Sequence, residues 1–249
     1  MSSNQQPWNP LEGERPELNI NIHNGTDEQI SIIIVHKDTP EYLNICLQTI
    51  AVTSFNNNYE IIVVDNASGQ DSQDFLQEID KEVKVIRNKE NLYWSAAANK
   101  GAEAANKNSK YLIFMHCDVA ILNPAWLDLL INVKKKKKSG MVGVEMQAYN
   151  MQGKKVEFIR EWLVLFTKEC FNECGPFSEK LPMVGQNFVM TLKAQHYNYK
   201  PQIMKNIIAH HYKIFSLDIS IFEKMTEQAQ VEIPRLIKEV QSETVKRII

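Results

Sequence analysis

Tyr111-Leu112-Ile113-Phe114-Met115-His116-Cys117-Asp118 is an apolar run that is followed at once by a histidine, a cysteine and an aspartate. The apolar part predicts a buried strand over residues 110–115. Imidazole and carboxylate groups at the end of such a strand are poorly placed for packing. They are well placed for a ligand, because ligands of open α/β sheets lie beyond the carboxyl ends of the strands. In a strand that continues outward, His116 and Asp118 share a face and can reach one divalent cation.

The segments around this run alternate between two patterns. β-Branched runs predict strands at 30–35, 59–64, 83–86, 110–115 and 141–144. Helical spacing of apolar residues, together with capping signals, predicts helices at 41–53, 71–79, 95–106 with Ser95 as N-cap, and 124–133 with Pro124 in the first turn. This alternation predicts an α/β fold with a mainly parallel sheet flanked by helices.

The chain of 249 residues is long enough for one large domain with appendages. We expect a polar N-terminal arm over 1–28, a regular α/β half over 29–145 and a less regular half of the same domain over 146–215. The second half should contain a helix at 184–197 and an extended segment at 203–212. The sequence of residues 216–249 predicts a C-terminal helical tail of one or two helices, with a split near Pro234. These helices could pair with a second copy in a homo-oligomer.

Composition and motifs disfavour several classes of protein. A formal net charge of −2 gives no general attraction to nucleic acid, and no apolar stretch approaches the length of a membrane span. The N-terminus has no signal-peptide pattern, so we expect a cytoplasmic location. No Gly-x-Gly-x-x-Gly follows any strand, which disfavours a dinucleotide oxidoreductase. The absence of glycine from His36-Lys37-Asp38-Thr39-Pro40 argues against a nucleotidyltransferase loop.

Other polar residues also follow predicted strands. Asp65 can accept hydrogen bonds from a base or a ribose, or it can simply form a turn with Asn66. The small-residue helix that follows residue 88 favours phosphate at its N-terminus, with Asn99 and Lys100 one turn in. Adjacent side chains of an extended segment point to opposite faces, so only one of His210 and His211 can face a site. We expect it to be His210.

Together these residues resemble the family 2 glycosyltransferases of GT-A fold. The resemblance implies that residues 29–145 bind a nucleotide-diphosphate sugar and that 146–215 form the acceptor side. The family's Asp-x-Asp metal motif falls on His116-Cys117-Asp118, which keeps only the last aspartate. The resemblance implies that Mn²⁺ or Mg²⁺ is held by Asp118, His116 and His210. The implied donor-binding residues are His36, Asp65, Asn91, Trp94, Asn99, Lys100 and His116, and Gly101 also matches the family pattern.

The general base is the gap in this resemblance. The family's acidic pair falls on Gln186-Asn187, and amides do not take a proton from a hydroxyl. Glu179, Glu161 or His196 are alternatives, as is a retaining transfer that needs no base there. The candidate catalytic residues are Asp118, Glu179 and Asn187. With Glu161, the aromatic residues Trp162 and Phe166 form either an acceptor wall or part of the core.

The resulting hypothesis is a metal-assisted, inverting glycosyltransferase. It would move a sugar from a nucleotide-diphosphate sugar to a hydroxyl of an unknown glycan, lipid or protein acceptor. The alternative hypothesis, which Gln186-Asn187 supports, is a non-catalytic module that binds a nucleotide-sugar.

Overall fold

The computed structural model describes residues 28–54, 57–137, 139–151, 154–205, 208–214 and 218–248. The expected N-terminal arm therefore lies outside the described residues except for Glu28. The strands are β1 (Ile30–His36), β2 (Tyr59–Asp65), β3 (Lys84–Arg87), β4 (Tyr111–His116), β5 (Val119–Ile121), β6 (Met141–Gly143), β7 (Met146–Met151), β8 (Lys154–Ile159), β9 (Leu163–Thr167), β10 (Gln202–Ile203) and β11 (Ala209–His211). The helices are α1 (Pro40–Thr53), α2 (Gln70–Ile79), α3 (Tyr93–Ala104), α4 (Trp126–Lys137), α5 (Lys168–Cys174), α6 (Gln186–His196) and α7 (Ile219–Ile248).

The sheet confirms the predicted α/β class. Seven strands lie in the order β10-β6-β9-β4-β1-β2-β3. The strands β4, β1, β2 and β3 are parallel to one another, so their carboxyl ends meet at one edge. Strand β9 is antiparallel to both β4 and β6, which brings the beginning of β9 to the same edge. Two short ladders, β5 with β11 and β7 with β8, complete the described strands.

Both faces of the sheet are buried. Along β1, Ile32 and Ile34 pack into one apolar layer, whereas Ile33 packs into the other. Helices α1 and α4 contribute to the first layer, and α3, α5 and α6 contribute to the second. This two-sided burial explains why the central strands read as continuous apolar runs and not as alternating patterns.

Three predicted boundaries were wrong. Helix α3 begins at Tyr93, whose N–H donates to Asn91, and Ser95 instead lies inside the helix and donates its hydroxyl to the Leu181 carbonyl. Helix α4 begins at Trp126, beyond a turn that contains Pro124. The tail is one helix that continues through Pro234.

Helix α7 lies against α6 through a small apolar cluster of its own. Ala229, Ile233 and Leu236 pack there with Leu181 and Phe188. This packing ties the C-terminal helix to the second half of the domain. None of the helices in the described part of the chain combines the length and apolar character needed to cross a bilayer.

Gly101 sets how closely α3 approaches the sheet, and this predicts a sensitive position. A Cβ at residue 101 would lie 2.4 Å from Cγ2 of Ile33 and 3.1 Å from Cγ2 of Val64, both in buried strands. We expect Gly101→Ala to lower the free energy of unfolding by about 1–3 kcal/mol through overpacking. Urea unfolding measures this effect. Glu103→Ala, on the exposed side of the same helix, should change it by no more than about 0.5 kcal/mol, and equal stability of both variants would contradict the close packing.

Candidate metal and nucleotide site

A cavity of about 460 Å³ lies at the sheet edge where β1, β2 and β4 end. The register places His36 beside Asp65 and Val35 beside His116. The lining combines strand ends with residues from the second half of the domain, including Arg160, Glu161, Gln186 and His211. The cavity thus lies where ligands of open α/β sheets are generally found.

Two histidines and a carboxylate meet in this cavity. His116, Asp118 and His211 each offer one atom that could ligate a metal ion, and these atoms all lie within 4.8 Å of one another. Asp118 Oδ1 is 3.9 Å from His116 Nδ1 and 3.3 Å from His211 Nε2. His116 is the last residue of β4 and Asp118 lies two residues beyond it, whereas His211 is brought to them by the pairing of β11 with β5.

The structure corrects the expectation for the late histidine pair. His211 is the member that contacts Asp118, and its side chain is only 10% exposed. His210 is exposed and lies edge-on to the ring of Tyr212. His211 also stacks on Trp162, with the ring centroids 5.2 Å apart and the planes at 14°. The preference for His210 was therefore wrong, because the register of β11 against β5 turns the other histidine inward.

The protonation states suit a cation. Burial lowers the pKa of His116, although the negative charge of Glu161 opposes this effect. Burial alone would raise the pKa of Asp118, but the hydrogen bond from His211, the neighbouring imidazoles and the Ile214 N–H outweigh it and lower that pKa. A neutral imidazole and an ionised carboxylate are the forms that ligate metals.

The metal ligands that His116, Asp118 and His211 offer fit a divalent transition-metal ion better than Mg²⁺. Imidazole suits first-row transition metals, whereas Mg²⁺ prefers oxygen ligands. Cys117 does not join the set, because burial raises its pKa to about 11 and its sulfur contacts Thr39 Oγ1. His116 Nε2 and His211 Nδ1 are buried and have no hydrogen-bond partner among the described residues.

Several further polar atoms around the cavity also lack partners in the described part of the chain. They include His36 Nδ1 and Trp94 Nε1, both on residues that line the cavity. Asp65 is fully buried, and its Oδ2 accepts from Gln73 while Oδ1 has no partner there. Buried polar groups in folded proteins are nearly always satisfied. This concentration of unsatisfied atoms therefore indicates a polar ligand.

His36 predicts a specific pH dependence of stability. Burial lowers its pKa to about 4, against opposing attraction from Asp65 and Asp38. The unfolded chain takes up this proton near pH 6.5 and the folded chain only near pH 4, so stability falls as the pH drops between these values. Between pH 7 and 5 we expect the wild type to lose about 2 kcal/mol more stability than His36→Gln, measured by urea unfolding. Equal losses would contradict the burial of His36 in its neutral form.

Asn91 and Lys100, two further predicted donor-binding residues, stand differently toward the cavity. Asn91 lines the cavity and accepts from the Tyr93 N–H. Lys100 was expected in the site, but it donates to Asn88 at 2.8 Å and is not among the described lining residues. Asn88 in turn donates to Asn66, a lining residue. Two successive hydrogen bonds, from Lys100 to Asn88 and from Asn88 to Asn66, therefore connect Lys100 to a residue of the cavity lining.

Asn99 is also placed differently from the expectation. Its amide donates to the Phe177 carbonyl and accepts from the Phe177 N–H, at 2.9 Å each. These bonds hold the loop after α5 against α3. Asn99 was predicted to bind the donor, but it is a structural residue here because both ends of its side chain are occupied.

The predicted catalytic residues of the second half are separated by the fold. Glu179 is exposed and, like His196, is not among the described lining residues. Asn187 is buried and donates to the Ile159 carbonyl. Its neighbour Gln186 lines the cavity at the start of α6 with only 2% exposure, and neither amide atom has a partner among the described residues. At the position where the resemblance places the family's acidic pair, the fold therefore presents one amide side chain, that of Gln186, to the cavity.

Of the two alternatives for Trp162 and Phe166, an acceptor wall or part of the core, the structure has the core. Phe166 is fully buried in a cluster with Phe114 and Phe171. Trp162 lies behind His211 and donates its indole N–H to Glu145. Phe158, Ile214 and Phe222 line the cavity instead. Sequence reasoning missed these three because they come from β8 and from the segment around α7, whose approach to the strand ends depends on tertiary packing.

Comparison with known proteins identifies the sequence family and the fold. The family model for glycosyl transferase family 2 matches residues 31–193. The O-antigen biosynthesis protein RfbC of Myxococcus xanthus is 21% identical over 204 residues, which are 66% of this chain and 16% of that protein. An uncharacterized protein of Sinorhizobium fredii, y4gI, is 28% identical over 121 residues, which are 47% of this chain and 13% of that protein. The chain thus spans less than a fifth of the length of these two relatives.

Solved structures with the same fold include two complexes with nucleotides. The mannosyltransferase PcManGT from Pyrobaculum calidifontis, with GDP-Man and Mn²⁺, has a TM-score of 0.60 at 13% identity, covering 72% of this chain and 55% of that chain. GalNAc-T7 with UDP, GalNAc and Mn²⁺ has a TM-score of 0.59 at 17% identity, covering 71% and 42%. S. aureus TarS has a TM-score of 0.59 at 16% identity, covering 82% and 39%. These likenesses identify the fold as GT-A, and the family match covers most of the chain. The chain belongs to glycosyl transferase family 2.

Proposed function

We propose that this chain transfers a sugar from a nucleoside-diphosphate sugar to an acceptor hydroxyl, assisted by a divalent cation and with inversion at the anomeric carbon. The observation that carries the proposal is the cluster of His116, Asp118 and His211 in a cavity at the carboxyl ends of the parallel strands. The family and the complexes of its structural neighbours with GDP-Man, UDP and Mn²⁺ support it.

The first half of the domain holds the nucleoside in this proposal. His36, Asn66 and Trp94 line the cavity, and Asp65 lies at the same strand end with one unpartnered oxygen among the described residues. A neutral His36 and the Trp94 N–H can each bond a base or a ribose, and a carboxylate accepts from a base N–H or a sugar hydroxyl. All four residues are buried, so the fold holds their side chains in place before the donor arrives.

The diphosphate would lie beside the three ligands. His116, Asp118 and His211 would hold Mn²⁺ in preference to Mg²⁺, because two of the three are imidazoles. A bound divalent cation neutralises negative charge on a departing diphosphate. Lys213 also lines the cavity and is a further positively charged residue there.

The acceptor side is formed by the second half of the domain. Phe158, Met183, Ile214 and Phe222 line the cavity there, and such surfaces suit the apolar faces of sugar rings. The name of the Myxococcus xanthus relative favours a glycan acceptor over a lipid or a protein.

Release of nucleoside diphosphate from UDP-glucose, UDP-N-acetylglucosamine and GDP-mannose tests the proposal, with Mn²⁺ or with EDTA, in the presence of a panel of glycan acceptors. We expect one donor to be consumed with Mn²⁺ and not with EDTA. Equal turnover in both would contradict the role of the cation. Analysis of the product's anomeric configuration by NMR tests inversion, and retention would contradict it.

The second candidate is a non-catalytic module that binds a nucleotide-sugar. Gln186-Asn187 favours it, because amides stand where the resemblance places an acidic pair. Binding of a donor with Mn²⁺, without release or transfer across the acceptor panel, would support this second function against the first.

A further inference from the structure

The cavity contains a second carboxylate outside the histidine cluster. Among the described residues that line the cavity, only Asp118 and Glu161 are acidic. Both carboxylate oxygens of Asp118 already have contacts. Oδ1 faces the two histidines, and Oδ2 accepts from the Ile214 N–H at 2.8 Å. Glu161 is therefore the carboxylate of the lining that remains available to accept a proton from a substrate.

Antiparallel pairing delivers Glu161 to the strand ends. Because β9 runs antiparallel to β4, the connection that precedes β9 lies beside the end of β4. The His116 N–H donates to the Trp162 carbonyl at 3.1 Å, which fixes this connection against the metal motif. The side chain of Trp162 packs on His211, whereas that of Glu161 lines the cavity.

Arg160 positions the Glu161 carboxylate. Its guanidinium lies 3.9 Å from Glu161 Oε1 and 3.5 Å from Glu145 Oε1, so it is shared between two carboxylates. Glu145 is held separately by the indole N–H of Trp162 and is not among the described lining residues. Glu161 is 21% exposed, which leaves it accessible to a substrate in the cavity.

The other polar side chains around the cavity are less suited to accept a proton from a hydroxyl. Gln186 lines the cavity, but an amide does not accept a proton from a hydroxyl. His36 is fully buried at the first strand end and bonds Ser72. His116 and His211 belong to the cluster that surrounds Asp118.

We propose that Glu161 is the catalytic base of the transfer, taking the place of the acidic pair that Gln186-Asn187 replaces. This inference rests on the proposed function. The acceptor oxygen forms a bond to the anomeric carbon, and the bond from that carbon to the diphosphate oxygen breaks with its electron pair. The hydroxyl proton passes to the Glu161 carboxylate, so a glycoside and a nucleoside diphosphate leave and Glu161 is left protonated.

The test compares Glu161→Gln with Glu145→Gln in the full chain. We expect Glu161→Gln to lower the turnover of the donor that the wild type consumes by about 10²–10⁴-fold. Its affinity for that donor with Mn²⁺, measured by calorimetry, should stay within about threefold, because an isosteric amide keeps the shape of the site. Glu145→Gln removes the negative charge of the other carboxylate beside Arg160 and should keep turnover within about threefold.

Azide separates a base from a residue that only supports the site. Azide is an anion and attacks the anomeric carbon without losing a proton, so it needs no base. Glu161→Ala with sodium azide should form a glycosyl azide and recover nucleoside-diphosphate release. Wild-type turnover in Glu161→Gln, equal losses of affinity and turnover, or no rescue by azide would each overturn the role of Glu161. A wild type that consumes no donor would instead contradict the proposed function, and the assignment of Glu161 with it.

Discussion

Asp118→Asn is expected to weaken Mn²⁺ binding by roughly 10²-fold or more and to lower donor turnover at least as strongly. Asp118 is the only carboxylate in the cluster with His116 and His211, so the substitution removes its only formal negative charge. The amide oxygen can still accept from the Ile214 N–H, which keeps the neighbouring segment in place. Calorimetric titration with Mn²⁺ and nucleoside-diphosphate release measure the two effects.

Asp74→Asn is the matched control for the loss of one carboxylate. Asp74 is exposed on α2 and bonds only Gln70 among the described residues. It should retain wild-type Mn²⁺ affinity and turnover. Unchanged Mn²⁺ binding in Asp118→Asn would show that the ion is held elsewhere and would contradict the assigned ligand set.

His211→Phe is expected to weaken Mn²⁺ binding by about 10- to 100-fold, whereas His210→Phe should leave it within about twofold. Phenylalanine preserves a planar ring that can stack on Trp162 and contact His116, so the change removes the nitrogen ligand with little loss of packing. The two histidines are adjacent in sequence but lie on opposite faces of β11, which makes them an internal control for each other.

Calorimetry with Mn²⁺ on both variants distinguishes the two positions. Thermal unfolding of each variant without metal checks that the fold is retained. A larger loss of affinity in His210→Phe than in His211→Phe would contradict the inward orientation of His211.

The parallel half of the fold was predictable because its signals are local. Strands β1, β2 and β4 are buried on both faces, so each is a short apolar run in the sequence. Each run ends in a polar residue. His36, Asp65 and His116 therefore come to one edge simply because parallel strands end together. The starts of α3 and α4 were missed because each helix follows a local turn, in which Asn91 accepts from the Tyr93 N–H and Asn123 accepts from the Ala125 N–H.

The remaining site residues depend on pairing that periodicity does not reveal. His211 faces Asp118 because β11 pairs with β5 in one register, and a shift by one residue would present His210 instead. Glu161 reaches the cavity because β9 inserts antiparallel between β4 and β6. Conversely, Asn99 matches the family pattern and Lys100 lies beside it one turn into α3, but their side chains bond Phe177 and Asn88.

Calorimetric titration of nucleoside-diphosphate sugars into the wild-type chain tests the central claim most directly. The titrations use UDP-glucose, UDP-N-acetylglucosamine and GDP-mannose, each with Mn²⁺ and again with EDTA. Binding of one donor with Mn²⁺, weakened at least about 10-fold by EDTA, is the predicted result. No binding of any of these donors, or equal binding with Mn²⁺ and with EDTA, would contradict a cation-assisted donor site at His116, Asp118 and His211.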